Sequence, residues 1–481
     1  MSSSLRAHPH SRWWALIVIS LTQLVVVLDG TIVSIALPRA QAALGLTDGQ
    51  RQWVVTAYAL AFGALLLFGG RLADYIGRKR IFMIGMIGFG AASLYGGFAQ
   101  QGWELILARG LQGVFAALLA PAALALLTVT FPSGRDRNTA FAVFGTVAGT
   151  GAAVGLLLGG LLTEFADWRW CLFVNVFFVV VGLIGGALFL SESKAEGDNR
   201  YDVWGTITVT LGLGALVYGF SLAEHGWGDP LTISFLVIGI VLLALFVWIE
   251  SRVAQPLLPL RIVADRVRGG AFLIQGVAGA IMIGATMYLT FHLQFVLGMG
   301  AFPAGLATLP LPIATMIIAP IATRLLPVIG PRPMLIVGPL LAAAGMVYLS
   351  GITPDGAYLV QVAPALVALG VGMAFIFIPL QNLALSGVAP HDAGVASAMA
   401  NSAMQIGGSI GLSVFTAVYA ASVGGRAQGE LAPSQLTDAY GWTFIAAAIF
   451  LVAASVIAVF LVRGTKEELM PMQGERALAA H

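Results

Sequence analysis

"WWALIVISLTQLVVVLDGTIVSIALPR", residues 13–39, is apolar along nearly its whole length and carries a single acid, Asp29, before Arg39. At about 1.5 Å of rise per residue, roughly 20 apolar residues cross a bilayer, so the stretch reads as a membrane-spanning helix. A carboxylate inside hydrocarbon costs about 2.5–3.5 kcal/mol or more, so Asp29 is expected to face away from lipid. It lies about 12 Å below the expected helix end at Leu37. The run is too long for the apolar core of a cleaved signal peptide and has no small-residue cleavage pattern, so a retained helix is expected.

The rest of the chain has the same character. Of 481 residues, 59% are hydrophobic and 10% charged, with mean hydropathy +0.92. Soluble domains carry roughly a quarter charged residues, so the composition is that of an all-α membrane protein. A net charge of +2 gives no basis for binding nucleic acid. The single Cys171 excludes an internal disulfide and a cysteine metal cluster. The six histidines are scattered, with His8 and His10 in a polar tail, so no metal and no cofactor is expected. There is no Walker loop and no HExxH, which removes the case for ATP drive and for zinc hydrolysis. "GGSIG" (407–411) has the spacing of a nucleophile elbow, but Ser409 sits inside an apolar helix rather than a strand-turn-helix. The chain does not read as an enzyme.

Apolar stretches long enough to span fall near 13–37, 51–73, 79–99, 103–128, 138–164, 170–191, 204–223, 231–251, 270–297, 302–328, 333–352, 357–380, 393–423 and 440–463. Fourteen spans put both termini on one side. Of the 24 basic residues, Arg109 falls within a span, and Arg39, Arg51, Arg169 and Arg426 fall on one side; all others, from Arg6 to Arg476 and including Lys194 and Arg200, fall on the side of the termini. Positive charge collects in the cytoplasm, so both termini are expected inside, in the cell (plasma or inner) membrane. "SESKAEGDNRYD" (191–202) and "ESRVAQPLLPLRIVADRVR" (250–268) divide the chain into a tail (1–12), a six-helix bundle (13–191), a linker with two extra central helices (192–269), a second six-helix bundle (270–463) and a tail (464–481). The fifth helices of the two bundles correspond: Gly151, Gly155 and Gly159 in one, Gly407 and Gly411 in the other. A spacing of four puts each set on one face, where backbones approach closely. Parallel repeats of this kind are a transporter feature.

With this orientation Asp29, Arg109 (about 9 Å into helix 4) and Tyr58 (about 10 Å into helix 2) lie at one level. Asp29 and Arg109 read either as a static tie between helices 1 and 4 or as a proton-coupling pair. Intramembrane ionisable groups favour the second reading for Asp29. Tyr58, Gln23, Asn401 and Gln405 are candidate lining of a mainly apolar substrate pocket, or hydrogen-bonding groups that join helices. On the cytoplasmic side, "GGRLADYIGRKR" (69–80) puts Gly70 and Asp74 on one helix face and Gly77 in a tight turn. Arg78, Lys79 and Arg80 follow as partners for Asp74. The loop reads as a charge latch between two conformations.

These stretches resemble the major facilitator superfamily, and within it the fourteen-helix drug:proton antiporter branch. "GRLADYIGRK" is similar to the superfamily's loop between helices 2 and 3, with Tyr75 at a position usually basic. "LDGTIVSIALP" resembles the branch's helix-1 pattern, with Ser34 where asparagine is common, and "RQWVVTAYAL" (51–60) its helix-2 opening. "LARGLQG" (107–113) is similar to the helix-4 motif linked in the family to proton coupling, and its arginine falls on Arg109. "DWRWCLFVN" (167–175), "HLQFVLGMGAFPAGLATLP" (292–310) and "HDAGVASAMANSAMQIGGSIG" (391–411) resemble further segments of the branch. In helix 5 the antiporter motif ends Gly-Pro-x-x-Gly-Gly. This chain reads "GLLLGG" (155–160), with Leu156 at the proline and Gly159 and Gly160 kept.

The resemblance implies a proton-coupled exporter of small, mostly lipophilic compounds, such as drugs or antibiotics, working by alternating access. Its partners would be a small-molecule substrate, protons and the bilayer, without ATP, and the chain is expected to act as a monomer. Uptake or facilitated diffusion of a metabolite is the alternative transport reading. A non-transporting receptor or scaffold is the alternative of another class. Glu224, His225 and Asp229, at the outer loop of the extra pair, are expected to be solvated.

Overall fold

A backbone in hydrocarbon must satisfy its own polar groups, which selects helices. The computed structural model of the chain describes residues 11–132, 134–194, 202–223, 226–386, 388, 392–424, 426, 428–464 and 466–469. Most of both tails, with His8, His10 and Arg476, and also Arg200, Glu224 and His225, lie outside the described residues. Within the described residues every regular element is helical, and fourteen helices are long and apolar enough to cross a membrane. They are α1 Ser11–Leu44, α2 Asp48–Ile76, α3 Arg78–Gly97, α4 Gly102–Thr130, α5 Gly134–Phe165, α6 Trp170–Phe189, α7 Val203–Leu222, α8 Pro230–Glu250, α9 Arg266–Val296, α10 Ala301–Ile329, α11 Pro331–Leu349, α12 Tyr358–Leu385, α13 Ala393–Val423 and α14 Pro433–Leu461.

Each expected span overlies one helix, but several helices run further. The largest differences are seven residues at one end, in α14, which starts at Pro433, and in α1, which continues through Pro38 to Leu44. Proline removes one backbone hydrogen bond, yet packing holds the helix on: Pro38 is buried, and Arg39 Nη1 donates to the Thr163 carbonyl at 2.8 Å. Asp29 therefore lies about 22 Å from the end of α1 rather than 12 Å.

The helices pack into two compact units. The first holds residues up to Thr210 together with 253–257 and 299–306; the second holds 211–252, 258–298 and the chain from Ala307 onward. The boundary thus falls within α7. In the first unit α1 packs on α5 and α6, α2 on α4, and α3 on α4 and α6. In the second unit α9 packs on α13 and α14, α10 on α12, and α11 on α12 and α14. The pairing scheme is the same in both units. Glycines at matching places set the register: a Cβ on Gly113 of α4 would collide with the Tyr58 carbonyl of α2, and one on Gly370 of α12 with the Leu311 carbonyl of α10. Likewise Gly151 and Gly155 of α5 meet Val27 and Thr31 of α1, while Gly407 and Gly411 of α13 meet Gly276 and Ala280 of α9.

The α2–α3 turn differs from expectation in one respect. Asp74 pairs with Arg78, through Nε at 3.0 Å and Nη2 at 2.8 Å. Lys79 Nζ instead donates to the carbonyls of Ala187 and Leu190 at the end of α6, and Arg80 lies beside Glu192 at 3.8 Å. The reason is rotation: α3 begins at Arg78, and each later residue turns about 100° further from Asp74. Gly77 has φ +130°, which only glycine adopts readily. The Glu192 carboxylate sits against it, accepting the amides of Lys79 and Arg80 at 3.1 Å each. The close approach of α2 to α4 at this end is made by Gly69, against the Ala117 carbonyl, whereas Gly70 has room for a methyl group beside Pro121.

Candidate functional site

Charge buried among apolar helices persists only where partners surround it. Asp29, fully buried, has three donors on two other helices. Its Oδ2 accepts Arg109 Nη1 at 2.5 Å. Its Oδ1 accepts Gln112 Nε2 at 2.9 Å and Asn175 Nδ2 at 2.7 Å. Arg109 and Gln112 are three apart on α4, hence on one face, and Arg109 Nη1 also donates to Gln112 Oε1 at 2.8 Å. The guanidinium is held from two further sides. Its Nε donates to the Val54 carbonyl of α2 at 3.2 Å, and its Cζ lies 4.4 Å above the Tyr58 ring, close enough for attraction to the ring face. The Tyr58 hydroxyl donates to the Val26 carbonyl of α1 at 3.2 Å, and Gln112 Nε2 also donates to Ser93 Oγ of α3 at 2.8 Å. Gly113 lets α4 come close enough to α2 for these bonds to form.

Five helices therefore supply one buried polar cluster, and it unites three residues expected at one level: Asp29, Arg109 and Tyr58. Gln112, Ser93 and Asn175 were not among the expected site residues. Their signal was present: Gln112 lies one turn after Arg109, and Asn175 is the only amide in an otherwise apolar α6. The other expected lining residues lie elsewhere. Gln23 is half-buried on α1, six residues and about 240° around the helix from Asp29. Asn401 and Gln405 belong to α13 in the second unit; Asn401 is exposed and donates to its own helix at Ser397. On α5, Gly151, Gly155 and Gly159 face α1, whereas Gly160 faces Ala301 and Phe302. Leu156, at the position of the motif's proline, meets Gly305 through its carbonyl.

Three positions of the second unit that match members of this cluster are apolar. By the glycine register, Ala278 stands for Asp29, Leu366 for Arg109 and Leu311 for Tyr58, and all three are buried.

A sequence model described as the Major Facilitator Superfamily matches residues 19–412. The chain belongs to that superfamily. It is 47% identical over 410 residues to the puromycin resistance protein pur8 of Streptomyces alboniger, covering 85% of this chain and 82% of that one. It is 36% identical over 448 residues to the cephamycin export protein CmcT of Amycolatopsis lactamdurans (92% and 91% covered). It is also 33% identical over 425 residues to the tetracenomycin C resistance and export protein of Streptomyces glaucescens (88% and 78%). These relatives place it in the drug-efflux branch, as a multi-pass membrane transporter of small molecules. The fold is shared with the crystal structure of a bacterial homolog of the human lysosomal transporter Spinster, inward-facing and occupied. There the TM-score is 0.66 at 18% identity, over 96% of this chain and 99% of that one.

Proposed function

We propose that the protein exports small, mostly lipophilic compounds, antibiotics among them, in exchange for protons, by alternating access. Asp29 carries the proton and Arg109 is its counter-ion. The observation that supports this most is the asymmetry of the repeats. The same helix pairings stand in the second unit with Ala278, Leu366 and Leu311 in place of Asp29, Arg109 and Tyr58, so the fold itself does not require the charges. A buried ion pair is weak support for stability, and a polar cluster that packing does not need points to work done by the charges. The antibiotic exporters among its relatives support this substrate class.

In the proposed cycle Asp29 gains a proton and releases Arg109, which keeps Gln112 Oε1, the Val54 carbonyl and the Tyr58 ring as partners. The cation is thus never left bare. A membrane potential contributes about 2.3 kcal/mol per charge per 100 mV, so no nucleotide is needed. The excess of basic residues on the side of the termini supports cytoplasmic termini in the plasma membrane. The matching helix pairings support bundles at 13–191 and 270–463, with α7 and α8 as the extra pair. The latch assigned to Gly70, Asp74, Gly77, Arg78 and Lys79 is supported by the Asp74–Arg78 pair, and Gln23, Asn401 and Gln405 are the residues to probe for substrate contact. The test is transport in inverted vesicles with a panel of dyes and antibiotics. Asp29→Asn is expected to end gradient-driven export while the protein still inserts, and Arg109→Gln to uncouple proton from substrate movement. Wild-type coupling in Asp29→Asn would refute the role of Asp29, and proton movement in the same direction as substrate would make the protein an importer.

A further inference from the structure

We infer that Asn175 is a two-way hydrogen-bond switch for Asp29: a positioning residue that donates to the carboxylate and, with its amide turned over, accepts a hydrogen bond from the O–H of the carboxylic acid. The inference rests on the proton-carrying role proposed for Asp29. Asn175 is fully buried on α6, and its Nδ2 donates to Asp29 Oδ1 at 2.7 Å. Its own Oδ1 is buried with no hydrogen-bond partner, an unfavourable arrangement that calls for a reason. The two ends of an asparagine amide are nearly equal in size, so a half-turn of the amide exchanges donor and acceptor without disturbing packing.

Asp29 needs such an exchange. When a hydronium ion gives its proton to Oδ1 and becomes water, the new O–H requires an acceptor where two N–H donors now point. Other acceptors in the cluster are already engaged. Gln112 Oε1 receives Arg109 Nη1, the Val54 carbonyl receives Arg109 Nε, and Ser93 Oγ receives Gln112 Nε2. The carbonyl of Asn175 is the group left over. Turned toward Asp29, it converts an N–H···O⁻ bond into O–H···O=C, and the reverse turn follows proton loss. From the helices packed on α1, the titratable groups around Asp29 are Arg109 of α4, Tyr58 of α2 and, one turn from Asn175, Cys171 of α6. α3 presents Ser93 and α5 its glycine face.

The test is pH-difference infrared spectroscopy of the full chain in liposomes, with transport measured alongside. The acid carbonyl band that Asp29→Asn abolishes belongs to Asp29. In Asn175→Leu that band is expected to move to higher wavenumber, as an acid without its acceptor, and its half-development pH to shift by half a unit or more, about threefold in proton affinity. The isosteric Asn175→Asp keeps the packing. It is expected to show an acid band at pH values where the wild type is fully ionised, because two adjoining carboxyls share one proton. An unchanged band and midpoint in Asn175→Leu, or no added band in Asn175→Asp, overturns the switch alone. A wild type with no Asp29-dependent band overturns both the switch and the proton site on which it rests.

Discussion

Removing Arg109 alone should harm the fold more than removing Arg109 and the charge of Asp29 together. In Arg109→Met the Asp29 carboxylate stays buried with only Gln112 and Asn175 as donors. Breaking a buried ion pair from one side costs about 3–5 kcal/mol. Asp29→Asn leaves the guanidinium its bonds to Gln112 and Val54 and its place over Tyr58, so the cost there is about 1–3 kcal/mol. Independent effects would sum to roughly 4–8 kcal/mol in the double variant. The double variant, with neither charge, is expected to be more stable than Arg109→Met, a coupling of about 2 kcal/mol or more. Thermal unfolding in detergent, compared at one scan rate, reads this directly. For a chain this long each kcal/mol moves Tm by about 2 °C or less, so Arg109→Met should lose up to about 10 °C and the double variant should regain a substantial part. A double variant whose loss equals the sum of the singles would refute the claim that the two charges hold each other.

Three further outcomes follow from packing and capping. Gly155→Ala should destabilise by about 1–3 kcal/mol, and Thr31→Ala in the same chain should restore part of it, because Thr31 Oγ1 is the atom nearest the added methyl while the Leu28 carbonyl, 3.0 Å away, stays; Tm of the pair checks this. Gly69→Ala should lower the yield of monodisperse protein in size-exclusion chromatography and Gly70→Ala should not, since only Gly69 lies against backbone. Glu192→Ala should cost about 1 kcal/mol by uncapping α3 and raise protease cleavage near residue 192; equal cleavage would remove the capping role.

The number of spans was legible because bilayer thickness imposes a length that composition alone reveals. Helix ends were not, and Pro38 shows why: a lost backbone bond does not end a helix whose flanks are packed and tethered by Arg39. Asp29, Arg109 and Tyr58 do meet, but the rise counted to the end of α1 missed by about 10 Å because that helix runs on past Leu37 to Leu44. Direction around the helix was harder to read: Gln23 shares α1 with Asp29 yet points elsewhere. Neutral amides such as Gln112 and Asn175 give a weak signal, because their cost in an apolar medium is small until the partner they serve is known. The partners of Lys79 and Arg80 were invisible for another reason: they lie more than 100 positions away, at the end of α6 and beyond.

On the proposed mechanism, the two units share one scheme of helix pairings but not its charges. With Ala278, Leu366 and Leu311 buried where the first unit has Asp29, Arg109 and Tyr58, proton handling falls to the first unit alone. Conservative apolar exchanges at those three positions are then expected to leave proton coupling intact, whereas apolar replacement of Asp29 or Arg109 is not.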